Sequence, residues 1–164
     1  MKSVIKTIEA VNNFIGNVSG WLALLMAFLI TFEVVSRYIF SAPTMWSMEV
    51  NQYLFCAITL LGGGYCLLKD GHVRVDLFRP RFSPKTVAIV EMCTFPLAIM
   101  FFAILVWLGG SEFWTVLVEY QRSDTIMAFP MWPVWLTVPL GALLIELQIV
   151  ARYLRCVSDL KGEN

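Results

Sequence analysis

Four long runs of uncharged, mostly apolar residues constrain the fold of this 164-residue chain more than any other feature. The runs are Ala10–Phe32, Val50–Leu68, Met92–Ser111 and Thr125–Ile145. Each has about the 20 residues that a helix needs to cross roughly 30 Å of hydrocarbon. The sequence therefore predicts an all-α integral membrane protein, a single domain with four transmembrane helices. The expected spans cover residues 14–38, 46–68, 86–111 and 125–150.

The positions of Lys and Arg predict which side of the membrane each segment faces. Ten of the twelve basic residues lie before the first run, between the second and third runs, or after the fourth. Only Arg37 and Arg122 lie in the other two connections. Because cytoplasmic segments retain Lys and Arg, both termini and the middle loop are expected in the cytoplasm.

The first residues have the pattern of an amphipathic helix. Apolar side chains recur near helical spacing at Val4, Ile5, Ile8, Val11 and Ile15. This pattern predicts a short N-terminal helix that lies on the membrane surface before the first span. The apolar run that follows is too long for a cleaved signal peptide, so we expect it to be retained as a span.

Charged and aromatic residues mark the connection between the first two spans. Glu33 and Arg37 have i, i+4 spacing with the acid first, so they form either an internal pair or a contact with a partner helix. Trp46, Glu49 and Tyr53 follow on one face of the second helix. Aromatic residues at a membrane interface need no further role, so Trp46 by itself indicates an anchor.

Small and aromatic residues inside the spans predict packing and anchoring positions. Gly62, Gly63 and Gly64 allow close approach of another helix backbone, and a simple kink is the alternative. The tryptophans of the last two spans are expected at the outer membrane interface. These anchors are Trp107, Trp114, Trp132 and Trp135.

The residue inventory argues against an enzyme. His72 is the single histidine, and the chain has no phosphate-binding loop and no C-x-x-C pair. We therefore expect no catalytic residues, no cofactor and no metal site. A membrane-bound redox enzyme, based on haem or on the four cysteines, is the alternative.

The basic loop contains an alternating segment, Gly71-His72-Val73-Arg74-Val75-Asp76. In an extended conformation His72, Arg74 and Asp76 lie on one side and the valines on the other. Two interpretations are open. The segment is either a solvated cytoplasmic turn or a polar strip that binds a partner or lipid headgroups.

Together these motifs resemble the small membrane subunit, the DctQ-like component, of tripartite ATP-independent periplasmic (TRAP) transporters. The resemblance covers nearly the whole chain and is carried by Arg37-Tyr38-Ile39-Phe40, Trp46-Ser47-x-Glu49, Tyr53-Leu54-Phe55, Gly71-His72-Val73-Arg74-Val75-Asp76, Pro130-Met131-Trp132 and Pro139-Leu140-Gly141. Two departures are visible. Met48 stands where the family often has a first acid, and Gln52 where it often has Arg.

The resemblance implies an accessory subunit of a sodium-coupled secondary transporter in the bacterial inner membrane. A large multi-span subunit would carry the substrate and sodium sites. A periplasmic binding protein would deliver an organic acid of the dicarboxylate or sialic acid class. This chain would pack against the large subunit and contact membrane lipids, with no role for nucleic acid. The residues expected at the partner interface are Glu33, Arg37, Trp46, Glu49, Gly62, Gly63, Gly64, His72, Arg74 and Asp76.

Overall fold

The computed structural model describes the backbone of residues 2–69, 71 and 84–160, and the side chains of residues 3–69, 71 and 94–155. All the elements in these ranges that have regular structure over several residues are helices. Five helices are present: α1 (Lys2–Tyr38), α2 (Ser47–Leu61), α3 (Gly63–Leu68), α4 (Pro84–Val118) and α5 (Trp132–Leu160).

The helix α1 is one element of 37 residues. It contains no proline, so nothing in its sequence interrupts the backbone hydrogen bonding between the first turn and the span. The amphipathic segment predicted for the N-terminus is therefore the first part of α1. Within it Ile5 is buried, whereas Val4 and Val11 are exposed.

The helices α2 and α3 form one membrane-crossing unit, because the helical backbone continues through Gly62. Gly62 keeps right-handed helical dihedral angles, with φ −71° and ψ −14°. Its amide donates to the Ile58 carbonyl at 3.0 Å, and its carbonyl accepts from the Cys66 amide at 2.9 Å. The backbone groups are thus satisfied across the junction, as hydrocarbon requires.

The helix α5 starts later than the sequence-based span, which was placed at residue 125. Residues 121–131 instead fold back on themselves, with the Ser123 amide donating to the Phe129 carbonyl and the Met131 amide to the Gln121 carbonyl. Proline sets this boundary, because Pro130 restricts the residue before it to extended conformations. Pro133 lies in the first helical turn, where a missing amide costs little.

The helix α5 lies at the centre of the bundle. It contacts α1, α2, α3 and α4, whereas α4 packs mainly against α5. In the most apolar window of α5 33% of the residues are buried, compared with 6% in each of the other three spans. The core of the chain is therefore built around one face of α5, at Ala142, Ile149 and Ala151.

Most large apolar side chains face outward. On α1 the exposed set includes a stripe seven residues apart, Phe14, Trp21 and Phe28, each about two-thirds exposed or more. Four helical segments are long and apolar enough to cross a membrane: Ser3–Tyr38, Ser47–Leu68, Thr94–Val118 and Trp132–Arg155. Outward apolar surface on helices of this length is what lipid contact requires. The predicted fold class, all-α with four membrane-spanning helices, is confirmed.

Close helix contact depends on Gly141. A Cβ atom added there would lie 2.5 Å from the Leu60 carbonyl oxygen and 2.7 Å from its carbon. Both are backbone atoms of α2 and have no rotamer by which to move away. A side chain at residue 141 would therefore force α5 and α2 apart.

We predict that Gly141→Ala lowers the stability of the purified chain in detergent by ~1–3 kcal/mol, the usual cost of overpacking. Gly110→Ala is the matched control, because a Cβ there meets nothing within 4 Å. The control should be neutral or slightly stabilising, since alanine favours helix over glycine. Thermal unfolding followed by circular dichroism measures both. Equal midpoints for the two variants would contradict the packing argument.

Candidate partner interface

Glu33 closes the connection between α1 and α2. Its Oε1 accepts from Arg37 Nη2 at 2.7 Å and from Arg37 Nε at 3.2 Å, which is the internal pair that the i, i+4 spacing allows. Its Oε2 accepts from the Thr44 amide at 3.2 Å and from the Thr44 hydroxyl. One carboxylate therefore fixes the end of one span relative to the start of the next. Glu33 is 14% exposed, whereas Arg37 is 55% exposed and accessible to a partner.

Trp46 contributes an apolar contact at the same connection. Its ring stacks on that of Phe32, with 6.4 Å between the centroids and 27° between the planes. Trp46 is half-buried against α1. Its ring therefore helps to hold the α1–α2 connection, and its remaining surface faces outward.

Glu49 lies inside the chain. It is only 3% exposed, in the first turn of α2. Its Oε2 accepts a hydrogen bond from the Thr125 hydroxyl at 2.5 Å. Its Oε1 is buried and has no hydrogen-bond partner in the described part of the chain. A buried carboxylate with one oxygen unsatisfied is energetically costly, so this position calls for an explanation.

Two contacts hold the segment 121–131 against α2. The first is the bond between Glu49 and Thr125, and the second joins the Tyr53 hydroxyl to the Pro130 carbonyl at 2.8 Å. The ring of Tyr53 also lies 6.3 Å from that of Phe129. The motif residues Glu49 and Tyr53 thus position the connection between α4 and α5.

A second polar cluster lies at the opposite end of the bundle, near the two termini. Asn12 of α1 and Gln148 of α5 are buried, and Asn12 Nδ2 donates to Gln148 Oε1 at 2.8 Å and to the Leu144 carbonyl at 3.5 Å. Close by in sequence, Arg155 pairs with Glu9 at 2.7 Å. Hydrogen bonds between helices are one of the forces that hold spans together in lipid.

The glycine run lies between helices of this same chain. A Cβ on Gly63 would lie 2.6 Å from Ile145 Cδ1, and one on Gly64 would lie 2.2 Å from Asn12 Oδ1. Gly64 therefore makes the space that Asn12 occupies. A partner contact at Gly62, Gly63 or Gly64 stays a prediction.

The predicted anchors on α4 and α5 have unequal exposure. Trp107 is 79% exposed and Trp114 is 64% exposed, so both present most of their rings to the surroundings. Trp132 is 42% exposed and Trp135 is half-buried, which leaves them partly covered by the chain. Their position relative to the lipid headgroups stays a prediction. His72, Arg74 and Asp76 lie outside the described residues.

Sequence reasoning missed three residues that the structure brings into use. The sequence places Asn12, Gln148 and Thr125 within the expected spans or the apolar runs and gives no indication of the side chains that they contact. A signal existed for the first two, since an amide side chain in or beside a span is expected to bond across helices. The partner could not be found from sequence, because 136 residues separate Asn12 from Gln148.

Comparison with known families agrees with this architecture. Residues 26–159, most of the chain, match the family described as "Tripartite ATP-independent periplasmic transporters, DctQ component". The chain belongs to this family. The matched range includes the residues of the Glu33–Thr44 and Glu49–Thr125 contacts. The match confirms the resemblance to the DctQ-like component that the sequence motifs indicate.

One curated relative of this DctQ-family chain is the C4-dicarboxylate TRAP transporter small permease protein DctQ of Vibrio cholerae serotype O1 (strain ATCC 39315 / El Tor Inaba N16961). The two are 25% identical over 107 residues. That stretch is 60% of this chain and 44% of the relative, so the match spans less than half the length of the Vibrio protein.

We predict that Asn12→Ala destabilises the purified chain on the order of 1 kcal/mol, because Gln148 loses its buried partner. Asn13→Ala is the matched control, since the neighbouring Asn13 is exposed. A double-mutant cycle with Gln148→Ala should give a coupling energy of similar size. Chemical or thermal unfolding in detergent measures all four proteins. Additive effects of the two alanines would exclude a direct bond.

Proposed function

We propose that this chain is the small accessory subunit of a sodium-coupled, binding-protein-dependent transporter for organic acids. The family match over residues 26–159 is the observation that carries this proposal. In the proposed complex a large multi-span subunit performs the transport step. This chain packs against it as a fixed scaffold and performs no covalent chemistry.

The outward surface of the helices supports a scaffold role. The exposed stripe of Phe14, Trp21 and Phe28 on α1 provides a wide apolar area that the described part of the chain leaves largely uncovered. Such surface is suited to lipid tails and to the helices of a larger membrane protein. The exposed apolar surface on α1 and α4 is wide enough to contact lipid tails and a large subunit at the same time.

The substrate class proposed for the whole transporter is an organic acid. The name of the Vibrio relative points to C4-dicarboxylates, and the resemblance of the motifs also allows sialic acid. We assign the substrate and sodium sites to the large subunit and delivery to a periplasmic binding protein that associates transiently. No residue of this chain is proposed to bind substrate.

The proposed location is the bacterial inner membrane, with both termini in the cytoplasm. The excess of Lys and Arg before the first apolar run, between the second and third runs, and after the fourth run supports this orientation. It places Glu33, Arg37, Trp46 and Glu49 toward the periplasm. His72, Arg74 and Asp76 are then proposed to organise the cytoplasmic side of the interface.

The redox alternative receives no support from the family match. The described cysteines Cys56 and Cys66 are free thiols that are only half-buried, in the middle and at the end of the second span. Small residues at such places serve packing as well as chemistry. The transporter hypothesis is therefore the one we develop.

We predict that the chain, tagged in its native host and extracted in mild detergent, co-purifies with a much larger multi-span protein in stoichiometric amount. Proteoliposomes with both proteins and the binding protein should accumulate a four-carbon dicarboxylate under an inward sodium gradient. Omission of this chain should reduce uptake. Uptake by this chain alone, or its purification without any partner in several detergents, would contradict the proposal.

We also predict that Arg74→Ala and Asp76→Ala each reduce the yield of the complex, because the loop would lose polar contacts with the large subunit. Lys161→Ala removes a basic residue near the C-terminus and serves as the control for a general loss of positive charge. Stoichiometry after affinity purification and sodium-driven uptake are the measurements. Normal assembly and uptake in both loop variants would remove this assignment.

A further inference from the structure

Glu49 lines a pocket of about 300 Å³ between α2 and the segment 121–131. Gln52 and Ser123 contribute polar groups to the same wall. The apolar part of the lining includes Val134 and Phe55, whose side chain is largely exposed. The pocket therefore combines one carboxylate with an apolar channel.

The carboxylate of Glu49 is not balanced within the described part of the chain. Glu49 is 97% buried, since 3% of it is exposed, and its Oε1 has no hydrogen-bond partner. The ion pairs Glu33–Arg37 and Glu9–Arg155, both between described residues, do not involve Glu49. Burial of a carboxylate without a cation is strongly unfavourable. An external cation would satisfy this position.

The shape and charge of the pocket select among possible cations. A single carboxylate is a poor site for a bare metal ion, which needs several oxygen ligands in a tight cage, and the described residues hold no cluster of three His, Cys, Asp or Glu side chains. The residues of the wall include no Lys or Arg. A zwitterionic lipid headgroup would therefore place its phosphate near Glu49 without a counter-charge.

A long basic side chain fits both walls. Its ammonium or guanidinium group can donate to the free oxygen of Glu49 and to the amide oxygen of Gln52, in a charge-assisted hydrogen bond. Its methylene stem can lie along the apolar residues Phe55 and Val134, as the stems of Lys and Arg commonly do.

We propose that this pocket receives a lysine or arginine side chain of the large transport subunit, whose cationic group pairs with the carboxylate of Glu49. Because Oε1 is enclosed in the isolated chain, this pairing requires the carboxylate to turn toward the pocket. This inference rests on the proposed function, because it takes the large subunit as the partner. It gives the two-subunit contact a specific polar anchor at the end of the bundle where α2 begins. The apolar surfaces of the spans surround that anchor.

The test compares Glu49→Gln with wild type after co-purification from the native host. The variant keeps the side-chain size and an acceptor for Thr125 but lacks the charge. We expect the recovery of the large subunit to fall about tenfold, in line with the loss of a buried charge pair. The thermal midpoint of the isolated chain should be unchanged or higher, because an unpaired buried charge has been removed. Glu112→Gln, the same change at an exposed carboxylate of α4, should leave both quantities unchanged.

A second variant leaves Glu49 in place. Gln52→Lys puts an ammonium group three residues after Glu49 on the same helical face, where it can form an ion pair with the Glu49 carboxylate. We expect weaker recovery of the large subunit and an isolated chain at least as stable as wild type. A gain in the stability of the isolated chain with full recovery of the complex would overturn the proposal.

The remaining outcomes separate the proposal from its rivals. If Glu49→Gln recovers as much large subunit as wild type, the proposal is overturned. It is also overturned if the variant lowers the thermal midpoint of the isolated chain as strongly as it lowers recovery of the large subunit, because this result would indicate an internal structural role. A phospholipid that native mass spectrometry finds on wild type but not on Glu49→Gln, with unchanged protein recovery, would assign the pocket to lipid. Failure of wild type to recover any large subunit would instead reject the proposed function, and this inference with it.

Discussion

Close approach of helix backbones is the constraint on which this small bundle depends. Lipid tails are as apolar as the side chains of the spans, so burial of leucine or valine against another helix gains little hydrophobic free energy. Packing has to come from dispersion contacts and hydrogen bonds over short distances. Gly141 provides such a contact against the backbone of Leu60, and Gly109 provides another against Pro139. Both involve α5, which packs against α2 at the first contact and against α4 at the second.

Polar contacts then fix the relative positions of the helix ends. Glu33 ties the end of α1 to the start of α2, and Asn12 joins α1 to α5 at the other end. These bonds lie near opposite ends of the bundle, and each is worth a modest amount of free energy. Together these bonds fix the relative positions of the helix ends, whereas the middle of the bundle is held by close packing.

The outward surface has the opposite character and is suited to the role in a larger complex that we propose. Large apolar side chains such as Trp21 and Trp107 point away from the bundle, which suits both lipid and a neighbouring membrane protein. Apolar contact alone gives little specificity, because every helix in a membrane offers it. In the interface that we propose, the buried carboxylate of Glu49 supplies this specificity, since an unpaired charge rejects partners that lack a cation.

The number of spans and the family follow from the amino-acid sequence alone. Both are carried by local properties, which are the length of apolar runs and short motifs such as Trp46-Ser47-x-Glu49. The sequence also indicated the pair of Glu33 with Arg37, because helical spacing brings these residues together without knowledge of the fold.

Which face of each helix is covered, and what the polar residues contact, depends on how the helices pack. Thr125 reaches Glu49 across 76 residues of sequence, and it does so because residues 121–131 fold back against α2 before α5 begins. Helical periodicity gives the direction of a side chain but not the neighbour it meets. For Glu49, the neighbour is Thr125, which bonds one carboxylate oxygen and leaves the other without a partner among the described residues. This arrangement depends on the packing of the helices and is not visible in the sequence.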